Sequence, residues 1–290
     1  MTAPRIGRLI ALLAASSVLA AASANAAPPI AYAKLGSRGA QEVWLINPDG
    51  SSPTRVYSGP AKVSLSDLDV RPGGGQLAFI EGGTAIKVVS YDTSGVQTRV
   101  DIVPQAAGCR DYGLDFRGDG ALLYGSNCGS GTSLNVKEWN GATSIDLIAN
   151  AKNQVNKIRW LRDGSGFVWQ TATATGLEFR KSDLGNPSSW TVIWKIPYPT
   201  GSVPNLDMAH QTDAMILNFG SSTQIERVPF DFAGVGPATV VATGGDGHFG
   251  PDDNQILYRV QTHKGWNLVV NTGGINRTIA SAVGVTDWGN

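Results

Sequence analysis

The sequence predicts an all-β protein built from six similar sheets, and three features lead to this prediction. Charged residues make up only 16% of the chain and glycine 36 of its 290 residues, whereas ordinary globular chains carry about 25% charged residues and about 7% glycine. Short apolar segments alternate with turns rich in Gly, Asp and Asn, as expected for short strands joined by tight turns. A similar segment returns every 39 to 48 residues, which indicates a repeated structural unit.

The overall composition argues against several classes of function. The 23 Lys and Arg residues balance 23 Asp and Glu residues, so we do not expect a dedicated binder of nucleic acid or of anionic membranes. Hydrophobic residues form 42% of the chain, which is too many for an intrinsically disordered protein. After Lys34 no apolar run approaches the roughly 18 residues needed to cross a membrane. We therefore expect a folded domain without a membrane span.

The first residues have the pattern of an export signal. Arg5 and Arg8 form a basic start, residues 9–22 are apolar, and Ala24-Asn25-Ala26 supplies a small-x-small cleavage site. The sequence thus predicts a signal peptide over residues 1–26 and a periplasmic or secreted mature protein.

The repeat divides residues 27–290 into six units. Each unit has an apolar strand, a Gly/Asp turn, a second strand with an aromatic residue, and a third strand that ends in Asn or Asp near a Gly. Units of about 40–45 residues with four strands are typical of propeller blades, so we predict a single six-bladed β-propeller domain with four-stranded antiparallel blades. The residues at the leading position of the six units are Asp69, Asp115, Arg159, Asp207, His248 and Asp287.

The two ends of the chain are predicted to share one blade. Ile30-Ala31-Tyr32-Ala33 matches the second strand of a unit, whereas Val285 to Trp288 matches a first strand. A blade made of three N-terminal strands and one innermost C-terminal strand would close the ring and remove its free edges.

The repeat resembles that of the TolB-type propellers. Leu77-Ala78-Phe79, Ile30-Ala31-Tyr32 and Val43-Trp44-Leu45-Ile46-Asn47 match this family's strands well, and the resemblance covers nearly the whole chain after the leader. No unit has the full Ser-Pro-Asp-Gly turn, and residues 209–213 depart most from it. The resemblance implies that the strand before the turn lines the central channel. It also implies binding of a protein partner, which in the TolB family is a peptidoglycan-associated lipoprotein of the cell envelope.

Two cysteines lie in the second unit, Cys109 and Cys128. They are equally far from a hairpin centre at 118.5, so a constant pair sum of 237 places them opposite each other. In an oxidising compartment we expect a disulfide.

The six leading residues are the candidate site, a ring at the channel mouth that could hold a cation or polar ligand. The alternative is that each acid bonds the backbone of a neighbouring blade or a turn amide. A second alternative is a transition-metal site formed by His210 and His248, with His263 nearby.

Aromatic residues recur at fixed positions of the units, which predicts packing between blades. Trp190 and Trp194 lie outside this pattern; they are expected on one face of an outermost strand, either buried or forming a sugar-binding or partner-binding patch.

The function predicted from these observations is an exported, non-enzymatic interaction module that binds a protein of the cell envelope as a monomer. We predict no catalytic residue, metal or cofactor, since no Gly-x-Ser-x-Gly elbow and no phosphate-binding loop is present. The alternatives are a metal-dependent lyase or hydrolase acting on a saccharide, and a carbohydrate-binding propeller.

Overall fold

The computed structural model describes residues 29–128, 133–149, 155–197, 205–218, 223–231 and 234–288. The predicted signal peptide therefore lies outside the described residues. Six antiparallel sheets form the blades of a propeller. Across the ranges just given, no helix is long and apolar enough to cross a membrane.

The strands are numbered in chain order. The N-terminal strands are β1 (Ile30–Leu35), β2 (Ala40–Ile46) and β3 (Thr54–Ala61), with a short 3-10 helix at Ser37–Gly39. The next two blades are β4 (Leu65–Val70), β5 (Gln76–Glu81), β6 (Ala85–Tyr91) and β7 (Gln97–Ile102), then β8 (Cys109–Phe116), β9 (Leu122–Cys128), β10 (Ser133–Trp139) and β11 (Ser144–Ile148). The following blade is β12 (Val155–Trp160), β13 (Gly166–Thr173), β14 (Gly176–Asp183) and β15 (Asn186–Pro197). After it come β16 (Asn205–Met208), β17 (Ala214–Asn218), β18 (Gln224–Asp231), β19 (Gly234–Val235) and β20 (Thr239–Thr243). The last strands are β21 (Gly245–Phe249), β22 (Gln255–Thr262), β23 (Gly265–Thr272), β24 (Ile275–Ser281) and β25 (Val283–Trp288).

The predicted closure of the ring is confirmed. The closing sheet has the order β25-β1-β2-β3, with Ile30 opposite Trp288 and Ala31 opposite Asp287. The C-terminal strand is thus the innermost strand of a blade whose other strands come from the N-terminal end.

The hydrophobic core consists of six clusters, one at each interface between neighbouring blades. The recurring aromatic residues are buried in these clusters, as their periodic positions predict. They are Tyr32, Phe79, Phe116, Tyr124, Trp160, Trp169, Phe249, Tyr258 and Trp288.

The disc has two faces, which we name by their loops. The upper face carries the turns between the first and second strands of the blades, such as 71–75 and 117–121; the lower face carries hairpins such as 36–39 and 263–264. The innermost strands run from the lower face to the upper face and line the channel.

The predicted disulfide between Cys109 and Cys128 is confirmed, and the two residues are directly opposite in the β8–β9 ladder. The predicted constant register is wrong near the turn, where Phe116 faces Leu122 and the pair sum is 238. A register shift between Tyr112 and Asp115 changes the sum by one. This irregularity restores the predicted pairing at the cysteines.

Removing the disulfide should lower stability without changing the fold. The cysteines are 19 residues apart, and closing a loop of this size contributes about 3 kcal/mol in the chain-entropy model. We expect Cys109→Ser with Cys128→Ser to lower the free energy of unfolding by about this amount, as measured by urea denaturation. Wild-type protein treated with reductant should show the same loss, whereas the double variant should not respond to reductant.

Candidate functional site

The innermost strands bring the six predicted ring residues to one level of the channel. Five of the six are buried and Asp115 is half-buried. Two small clefts border this level, one toward each face of the disc.

The four acids of the ring connect neighbouring blades to each other. Each carboxylate accepts a hydrogen bond from the backbone N–H that follows the ring position of the next blade. The donor and acceptor pairs are Val70 and Asp287 at 2.8 Å, Phe116 and Asp69 at 2.7 Å, Phe249 and Asp207 at 2.8 Å, and Trp160 and Asp115. These are the contacts expected if the acids have a structural role.

Two blades carry a cation at the ring position, and there the side chain binds the acid of the next blade. The Nε atom of Arg159 lies 3.2 Å from a carboxylate oxygen of Asp207, and Nδ1 of His248 lies 3.2 Å from one of Asp287. Arg159 also donates to the carbonyl oxygens of Leu114 and Ile158, at 2.8 and 2.9 Å. The ring is therefore continuous across all six blades.

Asp207 and Asp115 differ in pKa because they lie at different distances from the cations of the ring. Burial acts to raise the pKa of Asp207, but the charges of His248 and Arg159 hold that pKa below its usual value. Asp115 is farther from Arg159, at 3.7 Å rather than 3.2 Å. At Asp115 the effect of burial is therefore larger than the effect of the Arg159 charge, and burial raises the pKa of Asp115 to about 8. Burial, followed by the charges of Asp287 and Asp115, also raises the pKa of Asp69 well above its usual value.

His248 should make the stability of the fold depend on pH. Burial opposes its protonation, but the adjacent carboxylate of Asp287 outweighs burial and raises the pKa of His248 above 6.5. A raised histidine pKa gives stability that is complete below the unfolded value of 6.5 and is lost as pH rises through the folded value.

We therefore expect the free energy of unfolding to fall as pH rises above 6.5. This decrease should be shallower in His248→Gln, which cannot take up the proton. Urea denaturation from pH 6 upward would measure both slopes, and equal slopes would contradict the assignment to His248. An exposed-histidine variant, His263→Gln, is the matched control and should keep the wild-type slope.

The upper mouth of the channel is a cavity of about 340 Å³. Its floor contains Asp115, Arg159 and Asp207, and its wall includes residues that the predicted ring does not contain. These are Arg117, Arg162, His210 and Gln211. The Nε2 atom of His210 is buried and has no hydrogen-bond partner within the described part of the chain.

The arginines of the mouth connect adjacent turns. Arg117 stacks over the ring of Trp160 at 4.6 Å and pairs with Asp119 at 2.9 Å. Arg162 donates to the carbonyl oxygen of Gln211 at 2.6 Å. Arg117 and Arg162 come two and three residues after the ring residue of their blades. The sequence contains this spacing, but only the structure shows that both side chains lie at the upper mouth.

A smaller cavity of about 130 Å³ lies on the lower side of the ring. Of the residues that line it, Lys157 pairs with Asp67 at 2.7 Å, and Asp246 pairs with Arg259 at 3.2 Å. The charged residues that line this cavity are therefore paired with residues of opposite charge.

The structure does not bring the three histidines together as a metal site. His248 lies in the channel, His210 is in a turn of the upper face, and His263 is in a hairpin of the lower face. The described residues contain no group of three or more His, Cys, Asp or Glu that could hold a metal ion.

The prediction that Trp190 and Trp194 share one face of a strand is wrong. They lie in β15 as expected, but a register shift separates Val192, opposite Arg180, from Trp194, opposite Phe179. Trp194 consequently stacks on Phe179 at 5.3 Å, whereas Trp190 contacts Trp169 edge-on at 5.6 Å and is 37% exposed. The two rings cannot act together as one sugar-binding platform.

Comparisons with solved structures agree with this architecture. The chain is similar to TolB from Acinetobacter baumannii, with a TM-score of 0.70 and 15% identity over 90% of this chain. It spans 66% of the length of that protein. It also matches a putative TolB from Agrobacterium tumefaciens, with a TM-score of 0.60 and 15% identity over 87% of this chain and 88% of the other.

A chain of a nidogen/laminin complex has the same fold at 9% identity, with a TM-score of 0.65 over 89% of this chain and 97% of the other. No protein-family model and no curated protein matches the sequence. The chain is thus a six-bladed β-propeller, and its architecture is TolB-like. At these identities the likeness describes the fold.

Proposed function

We propose that this chain is an exported, non-enzymatic interaction module of the cell envelope, and that it binds an acidic group of a protein partner at the upper mouth. The observation that carries the proposal is the contrast between the floor and the wall of this cavity. The floor residues Asp115, Arg159 and Asp207 are already engaged between blades. The wall cations Arg117 and Arg162 pair with acids that are themselves exposed, Asp119 and Asp213, so a ligand can compete for these cations.

Arg162 is the most accessible of these cations. Its side chain is 47% exposed and its ion pair with Asp213, itself 64% exposed, is long at 3.5 Å. Exposed pairs of this kind are worth about 0–1 kcal/mol, so a partner carboxylate can replace Asp213 at little cost. Arg117 and His210 line the same cavity, and the guanidinium of Arg117 is a further donor.

Export is supported by two features of the chain. The basic start and the Ala24-Asn25-Ala26 pattern fit a cleaved leader, and a disulfide such as Cys109–Cys128 persists mainly in oxidising compartments. If the proposal is correct, the exported protein begins at Ala27, which N-terminal sequencing would determine.

Binding at the mouth is tested by reversing the charge of Arg162. The immobilised mature protein is incubated with envelope extract from the producing organism, and retained proteins are compared for wild type, Arg162→Glu and Arg99→Glu. Arg99 is 68% exposed on an outermost strand and provides the matched control. We expect a partner retained by wild type and Arg99→Glu but lost with Arg162→Glu. Retention of the partner by the wild type and by both variants would contradict binding at the mouth.

A further inference from the structure

The two faces of the disc differ in their exposed charges: the upper face carries exposed acids together with a few cations such as Arg162, whereas the described loops of the lower face carry cations. Exposed aspartates occupy the turns of the upper face, where several of them accept hydrogen bonds from turn amides. These exposed aspartates are Asp49, Asp92, Asp119, Asp163, Asp183, Asp213 and Asp252. In the described loops of the lower face, every exposed charged side chain is a cation. These cations are Arg38, Lys62 and Lys264, and a fourth, Arg110, lies at the lower end of β8.

One corner of the lower face combines these cations with an exposed apolar side chain. Leu35, at the end of β1, is 66% exposed. Arg38 follows it in the same hairpin, and the N–H of Lys62 donates to the carbonyl oxygen of Gly39 at 2.9 Å. Lys34 lies over the ring of Trp44 at 4.8 Å. We call Lys34, Leu35, Arg38 and Lys62 the lower-face patch.

The nearest carboxylate, that of Glu42, lies opposite Lys34 in the β1–β2 ladder and is shared between Lys34 and Arg55. The side chain of Glu42 packs against Gly36, is only 8% exposed and pairs with Arg55 at 2.8 Å. No ion pair of Arg38 or Lys62 is found among the residues that the structure describes. Within the described part of the chain, Arg38 and Lys62 therefore present positive charge beside Leu35 that no ion pair neutralises.

We propose that the lower face docks on an anionic lipid surface, with Leu35 inserted among the lipids and the patch cations on the headgroups. Basic side chains near an anionic bilayer each contribute to attraction, and an adjacent apolar side chain adds burial at the interface. This surface is at the opposite end of the channel from the proposed partner site, so one molecule can bind both.

The distribution of charge favours a flat surface over an acidic protein segment. Arg110 and Lys264 lie on two other blades, so the cations of this face spread around the disc and do not converge in a groove. Ile102, 63% exposed at the lower end of β7, is a second apolar contact. The aspartates of the upper face would be repelled by the same lipids, which orients the mouth away from the membrane.

Vesicle flotation with the mature protein tests this proposal. Vesicles containing phosphatidylglycerol and phosphatidylcholine should retain the protein at low salt, and pure phosphatidylcholine vesicles should not. About 1 M salt, where the Debye length is about 3 Å, should release it. Arg38→Glu with Lys62→Glu should weaken binding more than about tenfold. Leu35→Ser should weaken binding with the charge unchanged.

Arg277→Glu is the matched control, because Arg277 is an exposed cation near the upper face and its variant should bind as wild type does. The proposal would be overturned if the protein does not bind vesicles at low salt. It would also be overturned if Arg277→Glu loses as much vesicle binding as Arg38→Glu with Lys62→Glu. Capture of an acidic protein by the patch without any vesicle binding would overturn it in favour of a protein ligand. None of these results depends on retention of a partner at Arg162.

Discussion

A chain lacking residues 285–290 is expected to lose cooperative folding. These residues supply most of β25, the innermost strand of the closing blade, which pairs with β1. Trp288 is buried in the cluster between the last blade and the closing blade, and losing a side chain of this kind costs about 3–5 kcal/mol. The carboxylate of Asp287 also binds the N–H of Val70 and lies 3.2 Å from His248. Together these losses rival a typical total stability of about 5–15 kcal/mol.

Calorimetry and circular dichroism would measure this loss as the disappearance of a single sharp melting transition. Addition of a synthetic peptide of residues 283–290 is the informative control, since a missing strand can be supplied in trans whereas general damage cannot be repaired in this way. We expect partial recovery of the transition with the peptide. A truncated chain that melts at the wild-type temperature would contradict the observed closure.

Arg159→Met is expected to lower the free energy of unfolding by about 3–5 kcal/mol, the usual effect of removing one partner of a buried ion pair. Arg159 is 5% exposed, with Asp207 and Asp115 at 3.2 and 3.7 Å. Methionine fills similar volume but leaves these acids without their cation. It also leaves the carbonyl oxygens of Leu114 and Ile158 without a donor.

The difference in the free energy of unfolding between wild type and Arg159→Met should become smaller as pH falls. The carboxylates of Asp115 and Asp207, which have no cation beside them in the variant, then take up protons in the folded state. Arg162→Met is the control from the same blade. Its side chain is 47% exposed, so we expect a change of about 1 kcal/mol or less. Urea denaturation of both variants at two pH values would measure the difference. A loss below about 1 kcal/mol in Arg159→Met would show that the ring does not hold the blades together.

The blade architecture could be predicted because each unit repeats its aromatic and turn residues at fixed positions. Tyr32 and Trp288 are at opposite ends of the sequence, yet their places in the repeat assign them to one blade, and the structure pairs their strands. The six ring residues could be found for the same reason. Their contacts could not be predicted in the same way, since a repeat fixes the level of a residue and leaves the direction of its side chain open.

Register irregularities could not be predicted from spacing. The shift between Tyr112 and Asp115 and the shift beside Trp194 each insert one residue into a ladder. Such an insertion reverses the face of every residue beyond it. The first shift leaves the cysteine pairing intact, whereas the second separates Trp190 from Trp194.

The upper mouth and the lower-face patch were not predicted from the sequence, because a count of charged residues does not say where on the surface those residues lie. Equal numbers of acidic and basic residues predict a neutral surface, but the acids accumulate in upper turns, where their side chains cap backbone amides. In lower hairpins threonine hydroxyls accept from the turn amides, as Thr262 does from the N–H of Lys264. The lower loops carry Arg38 and Lys62. The uneven distribution of these charges becomes visible only when the structure places the turns on opposite faces of the disc.

The most direct test of this account measures melting temperature and partner retention on the same preparations of wild type, Arg159→Met and Arg162→Glu. If the ring fastens the blades and the mouth binds the partner, Arg159→Met lowers the melting temperature, and Arg162→Glu loses the partner while melting as wild type does. Arg162→Glu that retains the partner, together with Arg159→Met that melts normally but loses it, would contradict the account and place the binding site in the ring.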